Sequence, residues 1–81
     1  MPDIEMKDLI DNIAKALVDK PEEVITTEIK GQHSLIIELK TAKDDIGKVI
    51  GKKGRTAQAL RSILMSASAK QKRRCTLEIL D

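Results

Sequence analysis

Three short stretches with period-two alternation limit the folds open to this 81-residue chain: VITTEIK (24–30), SLIIELK (34–40) and RCTLEIL (74–80). Each is rich in β-branched and aliphatic residues, the composition of a strand with one covered face. Only Gly31, Gln32 and His33 separate the first two, which therefore read as an antiparallel hairpin. Ile25, Thr27 and Ile29 alternate onto one face of the first strand, and Leu35, Ile37 and Leu39 onto one face of the second. The third strand, with Cys75, Leu77 and Ile79 inward, returns only after residues 41–73. A connection of that length is a crossover, and its right-handed rule favours parallel pairing of the second and third strands.

The crossover reads as two helices. Ile46, Val49 and Ile50 share one face of a short first helix, and Thr41 with Asp44 three residues on has capping-box spacing. Gly51 is placed to end this helix in the left-handed conformation that glycine tolerates. The next helix starts near Gly54 or Arg55 and fades near Lys70, with Ala57, Leu60, Ile63, Leu64 and Ala67 inward. Ahead of the hairpin, Met6, Leu9, Ile10, Ile13, Ala14 and Leu17 repeat at helical spacing from about Met6 to Val18, before Pro21. The predicted order is α-β-β-α-α-β. This is an α+β fold, a three-stranded mixed sheet with three helices on one face, in a single domain over 1–81.

Composition removes several functional classes. The chain has no Phe, Tyr or Trp, so it cannot stack bases on aromatic platforms. Cys75 and His33 are single, which excludes an intramolecular disulfide and a Cys/His zinc site. No apolar run reaches signal-peptide length or the ~20 residues of a membrane span. With one free thiol, the expectation is a soluble cytoplasmic protein without metal or cofactor. Asp44 and Asp45 are adjacent but have no histidine, nucleophile or ligand set beside them in the sequence, and Ser62, Ser66 and Ser68 have no paired base. The reading is therefore not an enzyme. The net charge of +2 hides a segregation: residues 1–42 balance to −4 and residues 43–74 to +8. A basic half points to a polyanionic partner, the alternative being a solvated basic face.

The basic half is centred on KVIGKKGRT (48–56). It is not a P-loop, because the sixth position from Gly47 is Lys52 where GxxxxGK[ST] needs glycine. It is not a dinucleotide fingerprint either, because Gly51 to Gly54 lies between two helices. Gly51 and Gly54 lack Cβ atoms, so a nucleic-acid backbone can come close. The first amides of the following helix have no intrahelical partners and suit phosphate. Lys52 and Lys53 add charge at the tip, and Arg55 offers a bidentate fork. Ile46, Val49 and Ile50, just ahead, could floor a groove for bases.

IGKVIGKKGRTAQALRSIL (46–64) resembles the central motif of the K-homology (KH) domain, roughly VIGxxGxxxxxI/L, and the element order resembles the type II KH fold. The ALVDKPEEV (16–24) and GKKGRTAQALR (51–61) segments resemble small bacterial RNA-binding proteins of the KhpA/YlqC type, over essentially the whole chain. The resemblance implies binding of about four nucleotides of single-stranded RNA, clamped by the GxxG loop. It assigns phosphate to Gly51, Lys52, Lys53 and Gly54, and bases to Ile46, Val49 and Ile50. It further implies an RNA chaperone or post-transcriptional regulator that self-associates, a larger KhpB-like KH-containing partner, and a role in cell shape.

A second basic cluster, Lys70, Lys72, Arg73 and Arg74, lies one helix length away, about 20 Å for residues 55–69. It either contacts a longer strand or an acidic partner, or is a solvated loop suited to a helix C-terminus. Two other readings stay open: a protein-interaction (dimerisation) module in which RNA is secondary, and binding of single-stranded DNA.

Overall fold

The computed structural model describes residues 5–69 and 73–80. Helix α1 (Met6–Leu17) leads through a 3₁₀ turn to strands β1 (Ile25–Lys30) and β2 (Ser34–Lys40). Helices α2 (Ile46–Ile50) and α3 (Arg55–Ala69) follow, and strand β3 (Arg74–Leu80) closes the sheet. The sheet order is β1-β2-β3, antiparallel between the first pair and parallel between the second. Both the α+β class and the mixed sheet are as expected from the crossover.

The core lies between one face of the sheet and the helices. Leu35, Ile37 and Leu39 of β2 and Leu77 of β3 meet Met6, Ile10 and Ala14 of α1, Val49 of α2, and Leu60 and Leu64 of α3. No side chain in this cluster is aromatic, so aliphatic burial alone carries it, at roughly 1.5–3 kcal/mol for each large residue.

Four expectations are corrected. In β1, Ile25 and Ile29 are exposed at 57% and 46%, on the face away from the core. The register pairs Thr26 with Leu39 and Glu28 with Ile37, so the polar set of β1 faces inward. Asp11 on α1 stands over this edge strand, and the Thr26 hydroxyl donates to its Oδ1 at 2.8 Å. In α1, Leu17 is exposed and Val18, one residue on, takes the core position. In α3, Ile63 is 40% exposed, on the flank of the Leu60–Leu64 line, whereas Ser68 is buried and satisfied by donating to the Met65 carbonyl. Finally, Thr41 and Asp44 form no capping box. The Thr41 hydroxyl donates to the Ala42 carbonyl, and residues Lys43–Asp45 form a 3₁₀ turn into α2.

Among the described residues, no helix is long and apolar enough to cross a membrane.

Candidate functional site

The turn between α2 and α3 is built from three conformational exceptions within four residues. Gly51 sits at φ 79°, ψ 170°, an extended positive-φ region essentially reserved for glycine, not the left-handed helical region expected. Lys53 is left-handed at φ 57°, ψ 25°, and Gly54 also has positive φ, at 73°. A lysine at positive φ is uncommon, and no sequence signal marked it.

Hydrogen bonds fix this shape. The Gly51 N–H donates to the Gly47 carbonyl at 2.9 Å and ends α2. The Gly54 N–H donates to the Gly51 carbonyl at 3.1 Å, and the Arg55 N–H to the Lys52 carbonyl. The start of α3 is therefore already engaged by its 3₁₀ lead-in, contrary to the expectation of free amides there. The N–H groups ahead of the first such bond, those of Lys52 and Lys53, have no partner inside the turn. A helical residue followed by a left-handed one forms a concave nest of amides that suits an anion.

The two glycines have different tasks. A Cβ on Gly51 would meet Thr56 Oγ1 at 2.2 Å, its Cβ at 2.6 Å and its main-chain N at 2.8 Å. Gly51 is thus held to glycine by Thr56 of α3, which packs on it. A Cβ on Gly54 would meet nothing within 4 Å. Gly54 presents the open face.

Lys52, Lys53 and Arg55 are exposed. The three aliphatics expected to act together separate: Ile50 is 37% exposed, Ile46 is half-buried, and Val49 is fully buried. Val49 is a core residue, and the expectation that it offers a contact surface is corrected. In the second basic cluster, Arg73 and Arg74 are exposed, and the Arg74 N–H donates to the His33 carbonyl at 3.1 Å. Lys70 and Lys72 lie outside the described residues. Arg73 and Arg74 follow the far end of α3, so they do not join the turn.

One constellation had only a weak sequence signal. Asp45 is 1% exposed; its Oδ2 accepts the Lys20 N–H at 3.0 Å, and its Oδ1 accepts Lys48 Nζ at 3.3 Å. Lys48 also bonds Asp19. The i, i+3 spacing of Asp45 and Lys48 was visible; the approach of Asp19 and Lys20 was not. Burial alone would push the Asp45 carboxyl up, but the main-chain N–H groups of Lys20 and Asp19 and the Lys48 ammonium outweigh it and hold it below its ordinary range. The hydrogen bond to Asp19 leads those that raise the Lys48 ammonium. Asp11 likewise is held low: its desolvation is outweighed by hydrogen bonds from Lys15 and Thr26.

A carboxyl held low stabilises the fold above its ordinary value of 3.8 and loses that contribution as pH falls through its lower folded value. Thermal melts should therefore show Tm flat from pH 7 to 5 and falling below about 3.8, with the fall reduced in Asp45→Asn.

The model of the KhpA/KhpB KH domain matches residues 7–79. The chain belongs to that family. Within it, the chain is 57% identical over 76 residues to RNA-binding protein KhpA of Halalkalibacterium halodurans, covering 94% of this chain and all of the relative. It is 49% identical to RNA-binding protein KhpA of Clostridium acetobutylicum over 93% of this chain and all of the relative. Against the protein of that name from Chlamydia caviae it is 49% identical, covering 94% of this chain and 97% of the relative. No solved structure matches the chain. The turn described above lies within the matched residues.

Proposed function

We propose that this chain binds single-stranded RNA, holding about four nucleotides with the Gly51–Gly54 turn. The observation that carries the reading is the turn's asymmetry: amides of Lys52 and Lys53 without partners in the turn, two exposed ammonium groups, and an open Gly54 face together at one tip. A phosphate there meets N–H donors and positive charge at once. Arg55 extends the contact along the strand, and Ile50 with the exposed part of Ile46 receives the bases above Val49. Aliphatic contacts of this kind need no aromatic residue. The relatives' name, RNA-binding protein, supports the same ligand. The cellular reading is an RNA chaperone or post-transcriptional regulator acting in the cytosol, without catalysis.

A second reading has its own observation. Ile63 and Met65 are exposed at 40% and 65% on separate sides of α3, and each offers an apolar contact for self-association or docking to a larger KhpB-like partner. The two readings are compatible, since linked modules gain affinity through effective concentration.

Fluorescence anisotropy of a labelled single-stranded RNA tests the ligand. Binding should weaken with a log–log salt slope of about −1.5 to −3, a few phosphates at about −0.7 each. Binding that does not respond to salt, or no binding, rejects the clamp. A DNA strand of the same sequence, bound equally well, would show that no 2′-hydroxyl is read.

A further inference from the structure

We infer that Asp45 is a positioning residue for the GxxG turn, and that the network it anchors withdraws Lys48 from RNA. The inference rests on the RNA-binding reading for its functional half, and on geometry alone for its structural half.

Helix α2 has only five residues, too few to hold its own shape by internal hydrogen bonds. Something outside must fix it, because the turn leaves directly from its last residue. On its inner side Val49 sits in the core. At its N-terminal end the anchor is Asp45. Asp45 stands at the N-cap position yet its side chain makes no capping bond to the main chain of its own helix. Its two carboxylate oxygens go instead to the Lys20 main chain, 25 residues away in sequence, and to Lys48 within α2. The connection between α1 and β1 is thereby tied to the helix that presents the turn.

A carboxylate this buried is costly unless fully partnered, and here it is partnered by main-chain N–H groups and a cation. No simpler residue fills the role. Asparagine keeps an acceptor but loses the charge that Lys48 answers, and alanine leaves the Lys20 N–H without its acceptor.

Lys48 completes the device. In the sequence it belongs to the basic half and lies three residues before Gly51. In the fold its ammonium is shared between Asp19 and Asp45. A cation neutralised by two carboxylates has little left for a phosphate. The basic surface offered to RNA is therefore narrower than the charge count suggests, and along α2 and the turn it begins at Lys52.

The test compares wild type, Asp45→Asn, Lys48→Gln and Lys48→Arg by RNA anisotropy across salt and by amide resonances in two-dimensional ¹⁵N–¹H spectra. Asp45→Asn, folded by circular dichroism, should bind a labelled single-stranded RNA about tenfold more weakly, or about 1.4 kcal/mol, with its salt slope unchanged. Its Lys52, Lys53 and Gly54 amides should shift while those of β2 and β3 stay in place. Lys48→Gln should shift the same amides and keep the wild-type slope, and Lys48→Arg should restore affinity and resonances. A merely stabilising Asp45 would lower Tm without moving the turn amides.

The inference is overturned if Asp45→Asn leaves those amides at their wild-type positions; should that variant not fold, Lys48→Gln decides in the same way. It is overturned equally if Lys48→Gln reduces the slope by about 0.7, the mark of a lost phosphate contact. Failure of the RNA reading looks different: wild type itself does not bind, and the turn amides alone then report whether Asp45 positions the turn.

Discussion

Replacing both tip lysines, Lys52→Asp with Lys53→Asp, is expected to weaken single-stranded RNA binding about a hundredfold at moderate salt while the protein stays folded. Both side chains are exposed, and the ion pairs of the described residues run elsewhere, to Lys15, Lys20, Lys30 and Lys48. Nothing in the core depends on either ammonium. The backbone tolerates the change as well, because Lys53 is left-handed and aspartate enters that region more readily than most residues. The substitution turns two attractive charges into two repulsive ones at the point where the amides of the turn would receive phosphate. Anisotropy titrations with circular dichroism on both proteins make the measurement. Equal binding by the folded variant would remove the turn as the RNA site and leave Arg73 and Arg74 as the candidates.

The fold was legible where one physical constraint left a single answer. A three-residue link forces a hairpin, and a long helical return forces a parallel third strand, so β2 and β3 appeared in the sequence with their observed bounds. Facing was harder. Alternation in β1 declares two faces but does not say which one is covered; here the register sets Thr26 and Glu28 opposite the core residues Leu39 and Ile37, and Asp11 accepts from Thr26. The same limit put Ile63 and Leu17 on the wrong side of their helices, since a stripe read at 3.6 residues per turn has soft edges.

At the site, the residue types of GKKG carry the expectation of a phosphate, yet the division of labour between the glycines did not show. It depends on Thr56 returning over Gly51, a contact made only once α3 has folded back. Asp45 was harder still. Adjacent Asp44 and Asp45 look alike in sequence, and it is the folded chain that gives buried Asp45 the Lys20 main-chain N–H while exposed Asp44 meets only the Lys20 side chain.

That division of labour predicts opposite phenotypes for two alanine substitutions three residues apart. Gly51→Ala is expected to cost about 3 kcal/mol of stability, enough to lower Tm by well over 10 °C in a domain of this size. Two independent penalties act there. The conformation at φ 79°, ψ 170° is one that a side chain rarely adopts, and the new Cβ would press on the Thr56 main-chain nitrogen at 2.8 Å. Rotating the Thr56 side chain relieves its Oγ1 but neither its Cβ nor the backbone nitrogen, so the start of α3 must move. Gly54→Ala meets open space, and its positive φ of 73° costs only about 1 kcal/mol. Its methyl group instead occupies the face that a phosphate would approach, so RNA affinity should fall while Tm changes by a few degrees. Thermal melts and anisotropy on the two variants separate the effects. If Gly51→Ala melts like wild type, Thr56 does not lock the turn. If Gly54→Ala binds RNA like wild type, the strand does not pass over that face. Together the pair distinguishes the glycine that shapes the turn from the glycine that leaves it open.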